Sequence, residues 1–281
     1  MRYIFFGTGH FALPVLKHLK EKSFLPSLII TSPDKPVGRH QIITPPLTKV
    51  FAIENNIPVY QPESLKNETV FEDIKKYITE HEAVVVADYG KIIPQNILDL
   101  SPNGFLNIHP SLLPEYRGPT PVQATILNDN PHTGVTIIKM DHLMDHGPIV
   151  AQEKKDIDAT IWPISLEELF ETLAVVGAEL LVKTLPTYIH GDLIPVEQDH
   201  NKATYVKMID KAHSEVFPQT ESISSIYLKY QAYQNWPGIF FIHNGKRVKI
   251  KKMNRDEILR VTPEGKTELD FKEYVKYHPL V

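Results

Sequence analysis

Tyr3-Ile4-Phe5-Phe6-Gly7-Thr8-Gly9-His10-Phe11-Ala12 is the stretch from which the fold can be read. Four β-prone residues run into a turn built on glycine, and residues 11–20 then carry apolar side chains at helical spacing. A strand, a tight turn and a helix are the opening of a parallel β-α-β unit. The same residues satisfy the G-x-G-x-x-G/A dinucleotide pattern, and Asp34 lies at a suitable distance downstream to hold a ribose. A nicotinamide-dependent dehydrogenase would follow from these features alone. A plain strand-to-helix turn needs glycine as well, for backbone reasons.

Outward from this unit the pattern repeats. Residues 27–31, 83–87 and 105–108 read as strands, and residues 46–55 and 71–80 as amphipathic helices covering a parallel sheet. Residues 133–140 and 149–154 follow as two further strands, separated by the turn Asp145-His146-Gly147-Pro148 at a sheet edge. Ser165 and Glu168 form a capping box, and a helix is predicted over 166–185, stopping at Pro186. Residues 239–243 and 247–252 flank Asn244-Gly245, a strong hairpin signal. The chain of 281 residues is long enough for a large and a small domain. The expected division is a catalytic α/β domain at 1–190 with a Rossmann-like, parallel-rich sheet, a polar linker at 191–203, and a small basic β-rich domain at 204–281.

Composition narrows the chemistry. With no cysteine, disulfides, thiolate catalysis and Cys-based zinc sites are excluded. No apolar run approaches the length of a membrane span, and the N-terminus reads as a buried strand without a signal-peptide cleavage site, so a cytoplasmic location is expected. Residues 1–200 carry 16 Lys and Arg against 25 Asp and Glu, whereas residues 201–281 carry 14 against 9. An acidic body with a basic C-terminal part points to a polyanionic partner at that end.

The most informative stretch is Asn107-Ile108-His109-Pro110-Ser111-Leu112-Leu113-Pro114, followed by Glu115-Tyr116-Arg117-Gly118. In α/β sheets ligands bind beyond the carboxyl ends of strands, and this segment leaves such an end. Alternation puts Asn107 and His109 on one side and turns Ile108 away. By themselves the two could equally form a satisfied structural hydrogen bond. Asp145 supplies a third polar group. A carboxylate, an imidazole and an amide, with no nucleophile elbow, suit proton transfer and oxyanion stabilisation, the nucleophile coming from the substrate. His109, His142 and His146 with Asp141 and Asp145 could be imagined as metal ligands, but no HExxH helix pattern occurs, and no metal is expected.

With these residues in hand, the chain resembles the folate-dependent formyltransferase family along nearly its whole length. The resemblance is carried by Phe6-Gly7-Thr8 with Phe11-Ala12, Pro33-Asp34-Lys35-Pro36-Val37-Gly38-Arg39, Val59-Tyr60-Gln61-Pro62 and Tyr89-Gly90-Lys91-Ile92-Ile93-Pro94. It continues through the Asn107–Pro114 segment, Gly134-Val135-Thr136-Ile137 and Trp236-Pro237-Gly238. The resemblance implies a glycine turn that binds no dinucleotide and a catalytic set of Asn107, His109 and Asp145. It implies a folate site along Tyr89 to Pro94 and along Ser111, Leu112, Leu113 and Pro114, with Arg39 near the acceptor end of a tRNA. The formyl donor would be 10-formyltetrahydrofolate and the acceptor amine that of initiator methionyl-tRNA, with an amino-sugar nucleotide as the alternative. A monomer without metal or redox cofactor is expected.

The chain departs from the family pattern in three places. Fewer lysines follow Arg39, and His146-Gly147-Pro148-Ile149 is closer to the glycinamide ribonucleotide and sugar formyltransferases. The C-terminal domain is short, which predicts a reduced OB-like barrel. In Arg247-Val248-Lys249-Ile250-Lys251 the charges alternate with apolar residues, so a strand would present Arg247, Lys249 and Lys251 as one row. Such a row suits tRNA phosphates, and it equally suits a solvated edge strand blunted by lysine.

Overall fold

A computed structural model describes residues 1–38 and 40–279. The strands are β1 (Tyr3–Phe6), β2 (Leu28–Ile30), β3 (Lys35–Val37), β4 (Ile42–Thr44), β5 (Val59–Tyr60), β6 (Ala83–Val86), β7 (Phe105–His109), β8 (His132–Lys139), β9 (Ile149–Asp156), β10 (Phe240–His243), β11 (Lys246–Met253), β12 (Ile258–Pro263) and β13 (Leu269–Asp270). The helices are α1 (Ala12–Glu21), α2 (Leu47–Glu54), α3 (Glu68–Thr79), α4 (Gln95–Leu98), α5 (Pro121–Leu127), α6 (Leu166–Ile189), α7 (Ile223–Ala232) and α8 (Phe271–Tyr277). Two compact units are formed, and neither is contiguous in sequence. One comprises Met1–Arg117, Gly134–Lys155 and Phe170–Tyr205, the other Gly118–Thr133, Asp156–Leu169 and the chain from Val206.

The first unit is built on a seven-stranded sheet of order β5-β2-β1-β6-β7-β8-β9. Its first five strands are parallel, and β8 runs antiparallel to β7. The apolar runs of β1 and β6 are buried on both faces, as a parallel sheet covered by helices requires. One face packs Ile4, Phe6, Val84 and Phe105 against Ile74, Ile78 and Ile97. On the other face Ile108 comes so close to α6 that a Cβ on Gly177 would lie 2.9 Å from its Cγ2. The chain leaves β2 and β5 on one side of β1 and returns through β6 on the other. That reversal is a topological switch point, and the loops after β1, β6 and β7 open at it.

The predicted strands of this sheet form within a residue or two of their expected ends. The helix expected to stop at Pro186 runs on to Ile189. A proline in the last turn removes a single backbone bond, while buried Leu185 and Tyr188, whose hydroxyl donates to Asn103 O at 2.7 Å, hold that turn in place. Gly191, at φ 82°, ends the helix instead.

The second unit is discontinuous because its helix pair draws on distant segments. Helix α5 packs on α7, Trp162 Nε1 donates to Asp129 Oδ1 at 2.7 Å, and Gln231 Nε2 donates to Pro163 O at 3.2 Å. The predicted hairpin turns at Asn244 and Gly245, both at positive φ (50° and 72°). Strands β10 to β13 form an antiparallel sheet in chain order. This is the expected small β-rich domain in reduced form, since the two residues of β13 are too few for a long closing strand. Among the described residues no helix is long and apolar enough to cross a membrane.

Candidate functional site

The glycine turn after β1 is already occupied. Thr8 N and Gly9 N donate to Asp88 O at 3.0 and 2.8 Å, and Phe11 N donates to Asp88 Oδ2 at 3.0 Å. These N–H groups open α1 and are the donors that a dinucleotide pyrophosphate would need. The chain's own Asp88 takes that place. Burial raises the pKa of this carboxyl, against the pull of the Phe11 bond. Asp34 is likewise engaged, with Lys49 Nζ at 2.8 Å from both carboxylate oxygens and Gln61 Nε2 at 2.8 Å from Oδ1. The Lys49 bond, followed by that of Gln61, holds the Asp34 carboxyl below its ordinary pKa. The dehydrogenase alternative therefore loses both of its features.

A Cβ on Gly9 would lie 2.0 Å from Asp88 Oδ2 and 2.3 Å from its Cγ. Since the carboxylate is pinned by Phe11 N, Gly9→Ala is expected to destabilise the protein by about 1–3 kcal/mol. A denaturant midpoint equal to that of the unsubstituted protein would show that Asp88 yields.

At the end of β7, alternation works as expected. Asn107 and His109 stand opposite Ile138 and Thr136 of β8, and both face Asp145. Asn107 Nδ2 lies 3.3 Å from Asp145 Oδ1, and His109 Nδ1 lies 3.6 Å from the same oxygen. The His109 and Asp145 side chains are only 5% and 12% exposed, so a positive charge gained by His109 on taking up a proton would meet the carboxylate with little screening by water. His109 Nε2 is 3.0 Å from the Tyr116 carbonyl, which can only accept, so Nε2 carries a proton. The nitrogen left for chemistry is Nδ1, on the Asp145 side.

The turn that carries Asp145 is shaped by its backbone. Asp145 adopts φ 51°, and a Cβ on Gly147 would come within 1.8 Å of Lys139 O. Close approach, more than a positive φ, is what demands glycine at 147.

The two segments expected to hold folate leave neighbouring parallel strands, β6 and β7. In the first, Tyr89 is buried and packs edge-on against Phe6 with ring centroids 5.1 Å apart, and Ile93 is buried as well. Gly90 turns the chain at φ 73°, Lys91 Nζ donates to Pro62 O at 2.8 Å, and Ile92 is 85% exposed. This segment thus presents backbone and Ile92 rather than the Tyr89 ring. In the second, Thr136 Oγ1 donates to Ser111 O at 2.7 Å and accepts from Leu113 N at 3.1 Å, and Gln152 Nε2 donates to Leu113 O at 2.9 Å. Ser111 and Leu113 are buried, leaving Leu112 and Pro114 partly open.

Arg39 lies outside the described residues. Arg247, Lys249 and Lys251 of β11 line one cleft of about 650 Å³ in the second unit, together with Lys211, Trp236 and Phe240. Val248 and Ile250 between them are buried, and the Arg247 guanidinium lies 3.9 Å from the centre of the Phe240 ring. Among the described residues no group of three or more His, Asp or Glu is placed to hold a metal ion. His146 instead pairs through Nδ1 with Asp141 Oδ2 at 2.7 Å and stacks on His200 at 4.1 Å.

Sequence reasoning did not find Arg117 or Gln198, which lie buried beside this turn. Arg117 appeared only as the tail of a motif, and Gln198 fell in a segment read as linker. The bridge of Val196 to Ile149 and the burial of Gln198 tie that segment into the first unit.

Residues 1–185 match the Formyl transferase family, and residues 209–260 match the Formyl transferase C-terminal domain. A methionyl-tRNA formyltransferase of Caldicellulosiruptor saccharolyticus is 43% identical over 255 residues, covering 90% of this chain and 79% of that protein. One of Dictyoglomus thermophilum is 34% identical over 313 aligned positions, covering 100% of this chain and 98% of the relative. The solved methionyl-tRNA formyltransferase from Clostridium thermocellum superposes with a TM-score of 0.62 at 18% identity, covering 96% of this chain and 100% of that one, and so shares the fold. By its matched domains, and by its identity to relatives along most of its length, this chain belongs to the methionyl-tRNA formyltransferase family.

Proposed function

We propose that this enzyme transfers the formyl group of 10-formyltetrahydrofolate to the α-amine of initiator methionyl-tRNA in the cytoplasm. The observation that carries the reading is the meeting of Asn107, His109 and Asp145 at one carboxylate oxygen. The unprotonated amine attacks the formyl carbon, and the new C–N bond leaves an oxyanion. Asn107 Nδ2 supplies a hydrogen bond to it. His109 Nδ1 takes the proton that the attacking amine must lose, with Asp145 as counter-charge. The intermediate then collapses, the bond to the folate nitrogen breaks, and that nitrogen receives the proton. Folate lies along residues 89–94 and 111–114, and no step needs a metal.

The tRNA is assigned to Arg39 and to the cleft of the second unit, where Arg247, Lys249 and Lys251 meet phosphates and exposed Trp236 offers a stacking face. Replacing the three basic residues by Ser is expected to raise the KM for tRNA and to flatten its salt dependence. The flattening should be about 0.7–0.9 logarithmic units of slope for each phosphate that is no longer neutralised, with the KM for folate unchanged. An unaltered slope would return the row to a solvated edge.

The test of the whole reading is a formyl-transfer assay with charged initiator tRNA, glycinamide ribonucleotide and an amino-sugar nucleotide side by side. Efficient use of the tRNA alone supports it, and preference for either small acceptor overturns it.

A further inference from the structure

Arg117 is 1% exposed, and among the described residues no carboxylate pairs with it. A buried cation without a counter-ion is costly unless its donors are used. Here they are used on one small network. Nε and Nη2 donate to Gln198 Oε1 at 3.2 and 2.7 Å, Nη2 to His200 Nδ1 at 2.8 Å, and Nη1 to the Tyr205 hydroxyl at 3.2 Å. Because guanidinium only donates, His200 Nδ1 must accept.

Gln198, itself 5% exposed, links this network to the catalytic turn. Its Nε2 donates to Asp145 O at 2.9 Å and to Gly147 O at 2.7 Å. The side-chain amide is thereby saturated, with its oxygen on the guanidinium and its two hydrogens on the two carbonyls of the turn that carries Asp145. The residue before Arg117 completes the arrangement. Tyr116 O accepts a hydrogen bond from His109 Nε2 at 3.0 Å, and Tyr116 N donates to Thr204 Oγ1 at 2.8 Å. The dipeptide Tyr116-Arg117 therefore braces His109 through its backbone and Asp145 through its side chain.

We infer that Arg117 and Gln198 are positioning residues for formyl transfer: a buried guanidinium–amide strut that sets the distance from Asp145 to His109 and Asn107. Their hydrogen bonds reach the backbone carbonyls of the turn and not the Asp145 carboxylate, the His109 ring or the Asn107 amide. The inference rests on the catalytic roles proposed above, but not on which amine is the acceptor.

The test is a double-mutant cycle in steady-state formyl transfer, run with whichever of the three acceptors the unsubstituted enzyme uses, so that a wrong acceptor and a wrong strut give separable failures. Gln198→Leu is expected to lower kcat by about 10- to 100-fold, with the KM for folate within about twofold. Gln198→Glu, which keeps the shape and a partner for Arg117 but places oxygen against the two carbonyls, should lose as much. In an Asp145→Ala background the Gln198→Leu penalty should vanish, because the group being positioned is gone. The same loss in both backgrounds, or unchanged kcat in either folded variant, would overturn the inference.

Discussion

His109→Ala is expected to lower formyl transfer by about 100- to 10,000-fold, the usual contribution of a positioned general base. The structure gives this side chain one committed nitrogen, Nε2 at 3.0 Å from Tyr116 O, and one nitrogen facing Asp145. Alanine therefore removes the proton acceptor and the imidazole that faces the Asp145 carboxylate. Asn107→Ala should cost a similar factor by deleting the amide whose Nδ2 lies 3.3 Å from Asp145 Oδ1. Asp145→Asn should be nearly as damaging as Asp145→Ala, because an amide keeps the size but supplies no counter-charge. Single-turnover rates, with circular dichroism to show that each variant folds, provide the check. Near-normal turnover in His109→Ala would remove His109 from the chemistry.

Gly147→Ala is expected to lower kcat by about 100-fold, the scale of loss that follows a displacement of about 1 Å at a reacting group. Its Cβ would stand 1.8 Å from Lys139 O, 3.0 Å from Lys139 C and 3.4 Å from Asp141 N. These are backbone atoms at the end of β8 and just beyond it, so the strand cannot swing aside as a side chain would. The turn must move instead, and it carries Asp145 two residues earlier and the carbonyl that Gln198 holds. Kinetics of the folded variant would decide the matter: an unchanged kcat would mean that the position of the turn is set elsewhere.

Much of the molecule was legible because its signals are local. The strand, glycine turn and helix at residues 3–20, the capping box at Ser165 and Glu168, and the Asn244-Gly245 hairpin each depend on a few neighbouring residues and their backbone preferences. Period-two alternation also placed Asn107 and His109 together and left Lys249 and Lys251 outside buried Val248 and Ile250. The short edge strand β5 was missed because two residues are too few to display any period.

What the sequence by itself determined, then, was the type of the elements long enough to show a period or flanked by clear turn and cap signals, the face on which their polar groups stand, and, through family resemblance, the triad Asn107, His109 and Asp145. Only the tertiary structure decided what those groups meet. It put Asp88 over a turn 77 residues away in sequence, closing the apparent dinucleotide site. It let α6 continue through Pro186, and it joined Gly118–Thr133 and Asp156–Leu169 to the C-terminal unit. It also brought Gln198, 81 residues from Arg117, up against both that arginine and the Asp145 turn. The physical reason is common to all four. Periodicity and turn chemistry act within a few residues. Burial and hydrogen-bond saturation are satisfied only after distant segments have packed, and a buried guanidinium or carboxylate accepts partners from anywhere in the chain.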